Sequence, residues 1–276
     1  MDSNTGIIYD RRVGDRVIHA EHAKDVFPNW QGEKECWMFL APHDDDIVCG
    51  AGLTFLASLA EGINTHAVIT TNGCMGYCRD AYRDTIAQVR KIETAASFRA
   101  LGLPEDNLHR LEFNDSSLYQ NAGRQFVDED GPTVIAGAVG LQNSFTWVLR
   151  KVRPTRLFLP TMTDLHPDHK MASSEMLISI FHALGGIWPE LGPVIDMIPL
   201  LYEYATYSDF LTPPTLRICT SDALLEKKLA GIAAYRSQEQ IDLLVDVQRK
   251  AGAKEYLREL EFDILQPGKY DHLFNG

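Results

Sequence analysis

Residues 36–46 read Cys-Trp-Met-Phe-Leu-Ala-Pro-His-Asp-Asp-Asp, six apolar residues halted by a proline and followed at once by four ionisable ones. A short, unbroken apolar run suits a strand buried on both faces, as in a parallel sheet. Beyond it, Leu53, Leu56, Ala57 and Ala60 recur at helical spacing within residues 48–60, and Gly62 stands where a helix C-terminus wants it. The unit is therefore strand, polar loop, helix, and it recurs along the chain. Residues 66–71 make a second strand. Residues 79–101 carry Ile86, Val89, Ile92, Ala96 and Ala100 on a helical stripe closed by Gly102. Residues 108–113 make a third strand, and residues 156–159 a fourth, again halted by a proline, Pro160. Between them lie an acidic, Gly-containing insertion over residues 121–131 and a helix ending near Val152.

From Met171 a helix runs to about Leu184, followed by a Gly/Pro-rich stretch over 185–193 and strands near 199–204 and 216–219. Two helices then close the chain, over 222–235 and 250–260. This alternation predicts a single α/β domain over residues 36–276: a Rossmann-like, doubly wound, mostly parallel sheet with helices on both faces. Residues 1–35 are polar and irregular, although 16–20 has the makings of a short strand; they read as an N-terminal arm with weak structure.

Composition narrows the function. The chain has 276 residues, 45% of them hydrophobic, enough for a sizeable core. With 26 Lys+Arg against 38 Asp+Glu the net charge is −12, and no run of basic residues interrupts it. Such a surface repels phosphate backbones and anionic membranes, so nucleic acid is not an expected partner. No apolar stretch reaches the roughly 18 residues of a spanning helix, and residues 1–16 lack an apolar signal core, so a cytoplasmic protein is expected. The expected partner is a small molecule, with homo-oligomerisation left open. Cys36, Cys49, Cys74, Cys78 and Cys219 are an odd set without paired spacing, which argues against a disulfide framework. Cys74 and Cys78 lack the second Cys/His pair that a structural zinc site needs.

In open α/β sheets the site lies beyond the carboxyl ends of the strands. Two loops there concentrate ionisable groups: Pro42-His43-Asp44-Asp45-Asp46 after the first strand, and Asp164-Leu165-His166-Pro167-Asp168-His169 after the fourth. Each loop alone could be a solvated turn with a helix N-cap. Two such clusters at the ends of buried strands instead call for a compensating divalent cation. His₂ plus a carboxylate is a common catalytic zinc set. A His and an Asp three residues apart can face one metal while Asp45 stays free as a base; of His166 and His169, one can ligate while the other contacts substrate. A facial-triad iron oxygenase uses similar ligands, but the α/β pattern and the H-x-x-D spacing argue against it.

The chain resembles the PIG-L/LmbE-like zinc-dependent N-acetylglucosaminyl deacetylases. Their first motif, P-H-P-D-D-E with a glycine three residues on, is similar to Pro42 to Ile47 with Gly50. Their second, D-x-H-P-D-H, is matched in full by Asp164 to His169. The resemblance runs from Cys36 to about Gln238 and includes Arg90, Glu93, Leu101-Gly102-Leu103, Asp115 and Tyr235-Arg236-Ser237-Gln238, which resembles H-x-S-Q. It departs at Asp44, where the family has proline, and at Ile47, where it has glutamate. A register that aligns Pro42 with the family histidine would strand His43 and displace Gly50.

The resemblance implies that His43, Asp46 and His169 bind Zn2+ or another divalent cation, that Asp45 is the general base, and that His166 steadies the oxyanion or protonates the leaving amine. It further implies that Arg90 and Asp115 hold sugar hydroxyls. Arg90 could equally be an ion pair with Glu93 or Asp84. Asp164 or Asp168 can orient an imidazole. The implied activity is hydrolysis of an N-acetyl, or other N-acyl, amide on an amino sugar or sugar conjugate. The alternative is a non-catalytic metal- or sugar-binding relative with an altered first motif.

Overall fold

A strand apolar at every position needs cover on both sides, because successive side chains point to opposite faces. In the computed structural model, which describes residues 6–274, strand β3 (Cys36–Ala41) receives it. It follows an N-terminal pair, β1 (Ile8–Val13) and β2 (Arg16–Ala20). Trp37, Phe39 and Ala41 enter one core, together with Phe55, Phe98, Leu225 and Leu229. Met38 and Leu40 enter the other, with Leu141, Phe145, Met176 and Ile180.

The remaining elements follow from this strand. Helices α1 (Asp46–Gly50) and α2 (Gly52–Ala60) lead to β4 (Asn64–Thr71), and α3 (Ile86–Leu101) to β5 (Leu108–Phe113). A small hairpin, β6 (Gln125–Phe126) with β7 (Ala138–Val139), precedes α4 (Leu141–Val152) and β8 (Arg156–Pro160). Then come α5 (Pro167–Leu184), β9 (Leu200–Tyr204), β10 (Leu216–Cys219), α6 (Asp222–Ile232), α7 (Ile241–Ala251) and β11 (Lys254–Leu260). Helices α2, α3 and α6 cover the first core, and α4 and α5 the second.

Among the described residues the main sheet has nine strands, ordered β2-β1-β10-β11-β9-β8-β3-β4-β5. From β5 to β9 every neighbouring pair is parallel. Taken in chain order, these five strands lie 3-2-1-4-5 across the sheet, the doubly wound order that the alternation predicts. Its reversal falls between β3 and β8, the two strands that carry the charged loops, and a crevice at such a switch point is where α/β sheets bind ligands.

The other half of the sheet is antiparallel and departs from the sequence-based expectation in two places. Residues 8–20, expected within a weakly structured arm, form the β1–β2 hairpin, anchored by pairing of Tyr9 with Ile218. Residues 254–260, expected as helix, form β11. The apolar period of two is masked there because an inward position is charged: Glu255 accepts from the amides of Leu53 and Thr54 (2.8 and 2.9 Å) and from Lys228 Nζ at 2.7 Å. A carboxylate on the free N–H groups of a helix start is favourable, so Glu255 belongs beside α2. The helix expected over 48–60 is broken at Ala51. A Cβ on Gly50 would meet Tyr204 Cδ2 at 2.6 Å and the Ala205 carbonyl oxygen at 2.8 Å, which is why glycine stands there.

Candidate active site

The end of β3 delivers His43 and Asp46, and the first turn of α5 delivers His169; all three are buried. His43 Nδ1 lies 3.3 Å from Asp46 Oδ2, His169 Nε2 lies 3.2 Å from the same oxygen, and the two ring nitrogens are 3.2 Å apart. Three ligand atoms of a tetrahedral ion bound at about 2.0–2.1 Å are separated by about 3.3 Å, so this near-equilateral triangle has the dimensions of such a ligand face. Asp46 is fixed by the His43 amide, which donates to Oδ2 at 2.8 Å. Its other oxygen, Oδ1, is buried without a partner, and so is His169 Nδ1. Burial pushes the Asp46 carboxyl up, but the charges of His169 and His43 outweigh it and hold it well below the usual range. Burial alone would lower His43, yet Asp46, Asp115 and Asp168 raise it well above the ordinary imidazole value. The donor set fits a divalent cation: two imidazoles and a carboxylate, sealed from solvent, with net negative charge to compensate.

Carboxylates stand behind both rings. His43 Nε2 is 3.1 Å from Asp115 Oδ1 and 3.5 Å from Asp168 Oδ2, and His169 Nδ1 is 3.4 Å from Asp164 Oδ2. None of these three is aligned as a hydrogen bond; the proximity favours proton placement on the nitrogens facing away from the triangle. Asp164 also accepts from the amides of His166 (3.0 Å) and Tyr207 (3.2 Å). Asp168 accepts from Ser116 and Leu118 (2.7 and 3.1 Å), tying down the loop after β5. Two wider groups around His43 also bring donor atoms within 4.8 Å of one another, His43 with His166 and His169, and His43 with Asp115 and Asp168. Asp168 is already committed to backbone amides, and His166 Nδ1 accepts from the Asp168 amide at 3.2 Å, so the tight triangle is the better ligand face.

Asp45 is the carboxylate left open. Its side chain is 20% exposed. Burial, opposed by Arg90 and reinforced by Asp44 and Asp46, raises its pKa to about 6. Arg90 is not an ion pair with Glu93 or Asp84: it is 2% exposed, bonded to the Asp44 carboxylate, 3.5 Å from Asp45 Oδ2, and its guanidinium lies over the Tyr235 ring. Thr94 donates to the second Asp44 oxygen at 3.0 Å, and Tyr235 OH donates to the Asp44 carbonyl. Ile47, where the family motif has an acid, is buried in the apolar core, and Asp44 is the carboxylate that pairs with Arg90. Glu93 accepts from the Ser237 amide and hydroxyl, both at 2.6 Å, fixing the segment that brings Gln238 to the site.

These residues surround a polar cavity of about 210 Å³ that reaches His43, Asp45, Arg90, Asp115, His166 and Gln238. The structure thus brings together every residue singled out from sequence in the two loops, with Arg90 and Asp115. Asp115, expected as a sugar contact, stands against His43. The Asp44–Arg90 pair escapes sequence reasoning, because nothing local in the sequence links residues so far apart. Cys74 and Cys78 belong to none of the metal-capable groups among the described residues.

Comparisons with known proteins bear on the fold and the family. No curated protein matches the chain significantly. Among solved structures, the conserved protein TT1542 from Thermus thermophilus is 25% identical with a TM-score of 0.64, covering 84% of this chain and 97% of that one. The N,N'-diacetylchitobiose deacetylase from Pyrococcus horikoshii is 22% identical with a TM-score of 0.62, covering 87% and 86%. GalB, the 4-carboxy-2-hydroxymuconate hydratase from Pseudomonas putida, is 16% identical with a TM-score of 0.60, covering 84% and 98%. A fold shared by a deacetylase and a hydratase does not fix the reaction. The family described as PIG-L, GlcNAc-PI de-N-acetylase, matches residues 38–179. That span is just over half of the chain and carries both loops that build the ligand triangle, and the chain belongs to the PIG-L family.

Proposed function

We propose that the protein is a divalent-metal-dependent hydrolase that removes an N-acyl group from an amino sugar or sugar conjugate, with zinc the expected ion. The observation that carries this reading is the triangle of His43 Nδ1, Asp46 Oδ2 and His169 Nε2, with edges of 3.2 to 3.3 Å, beside an open carboxylate. These three residues would hold the ion, which when bound supplies a Lewis acid for the amide carbonyl and brings the pKa of water to about 7.

The chain's own groups do the rest. Asp45, with a carboxyl poised near pH 6 before any ion binds, takes a proton from the attacking water and passes it towards the leaving nitrogen. Arg90 steadies that carboxylate while Asp44 keeps the guanidinium in place. His166 accepts at Nδ1 from the Asp168 amide, which leaves Nε2 to carry a proton and donate to the carbonyl oxygen as charge develops. Asp164 and Asp168 tie the second loop to the backbone at Tyr207 and at Ser116 and Leu118 and favour ligating tautomers. Asp115 and Gln238, at the wall of the polar cavity, are the groups that sugar hydroxyls meet first.

The test is metal content by elemental analysis of the purified protein and of His169→Ala, each after exhaustive dialysis, with carboxylate release from N-acylated amino sugars measured alongside. About one zinc per chain, absent from the variant, with metal-dependent release, supports the reading. A wild type that takes up no metal when zinc is supplied would overturn it in favour of a non-catalytic binding protein.

A further inference from the structure

Two cavities meet at Asp45. Besides the polar one, a second of about 360 Å³ opens between α7 and the segment after β9, and Asp45, Tyr207 and Gln240 line both. The second cavity has a different character. Asp45 and Asp46 form its inner end, Cys49 and Ala205 lie on its wall, and α7 contributes Leu243 and Val247. Leu243 is 68% exposed and Val247 51%. They stand four residues apart, one turn of helix, and so share a face. The cavity therefore runs from the reacting carboxylate outward along an aliphatic stripe.

An amide has two arms, and the scissile bond fixes where each goes. The amine arm carries hydroxyls and suits the polar cavity with Asp115, Arg90 and Gln238. The acyl arm must leave the same point in another direction. An acetyl group, with one methyl beyond the carbonyl, would leave most of 360 Å³ unfilled, roughly a dozen water-sized volumes. We propose that the acyl arm of the substrate is an aliphatic chain longer than acetyl, which lies in the second cavity against Leu243 and Val247. The inference rests on the N-deacylase reading and names the substrate class within it. Water adds its oxygen to the acyl carbon, the C–N bond breaks, and the proton goes to nitrogen. The products are a medium-chain carboxylate and a free amino sugar.

The experiment is an acyl series, N-acetyl, N-butanoyl, N-hexanoyl and N-octanoyl glucosamine, assayed on the zinc-supplied full chain and on Leu243→Lys and Val247→Asp, which alter exposed positions. Each added methylene should raise kcat/KM about three- to fourfold until the cavity is full. The ratio of hexanoyl to acetyl kcat/KM should collapse at least tenfold in Val247→Asp. A flat or falling series, unaffected by the variants, overturns the proposal. So does a chain-length response confined to alkyl glycosides of N-acetylglucosamine, which would assign the cavity to the aglycone. If no amide is cleaved, the N-deacylase reading fails separately. The cavity is then read by calorimetry with carboxylates alone: octanoate binding at least tenfold tighter than acetate, and losing that advantage in Val247→Asp, supports the aliphatic assignment, whereas equal affinities overturn it.

Discussion

Two imidazole pairs with nearly the same spacing sit in this molecule. His43 and His169 face each other at 3.2 Å, and His66 and His109, on β4 and β5, at 3.1 Å. Their electrostatics are opposite. Asp46, Asp115 and Asp168 raise His43, whereas burial and the nearby Lys151 ammonium lower both members of the second pair, His109 to about 4. A close pair of histidines is therefore not in itself a cation site. The carboxylates make the difference, because they offset the cost of collecting positive charge in a buried place.

The sharpest way to break the comparison is to remove one ring from each pair. His169→Ala should abolish stoichiometric metal binding and lower turnover by more than the roughly 10⁴-fold that a lost acid–base group can cost; elemental analysis and amide hydrolysis measure both. Next in size, Asp45→Asn should keep the metal and lose about 10²–10⁴-fold in kcat.

That variant also tests the electrostatics without the ion. The Asp45 carboxyl is raised in the folded state from 3.8 to about 6, so its contribution to stability is complete below pH 3.8 and is lost as pH rises through 6. Metal-free Asp45→Asn should accordingly be more stable than the wild type above pH 6, by about 3 kcal/mol, and lose that advantage in acid. Thermal melts in chelator across pH decide it.

A subtler change keeps both rings and removes a carboxylate behind one. Asp164→Ala should weaken metal affinity about 10–100-fold, read by competition with a chromophoric chelator. The smallest effect on the site is expected from the second pair: His109→Gln should leave metal content and turnover within about twofold. Its signature lies in stability. The folded value of about 4 lies below the unfolded 6.5, so the unfolded chain binds more protons between them and wild-type stability falls as pH drops from 6.5 to 4. His109→Gln should flatten that slope, by about 3 kcal/mol at its acid end.

The parallel half of the sheet was legible because its central strands, β3 and β8, are buried at every position and read as short apolar runs that stop at a proline, while the edge strand β5 alternates buried and half-buried residues, the period of two. The antiparallel half was not. Arg16–Ala20 is largely exposed and has no apolar face to announce it, while β11 places Glu255 where an apolar residue would reveal the alternation. The site divides in the same way. His43, Asp46, His166 and His169 announce themselves by spacing within two short loops. The partners that tune them come from elsewhere: Arg90 from α3, Asp115 from the end of β5, Tyr235 and Gln238 after α6. Only the folded arrangement shows that Asp44 holds Arg90, or that Asp115 backs His43.

The adjacency of β3 and β8 has a consequence for how such a protein can diversify. The three donor atoms of the ligand triangle all come from two neighbouring strand ends, and the chain between them adds Asp115 behind His43 rather than a ligand of its own. Loops, hairpins such as β6–β7 and the outer helix α7 can be lengthened, shortened or recoloured while the three donor atoms keep their spacing. On the proposed reading the chemistry lies in the middle of the sheet and the choice of substrate at its margins, so that new specificities can arise by drift at the periphery without the chemistry being reinvented.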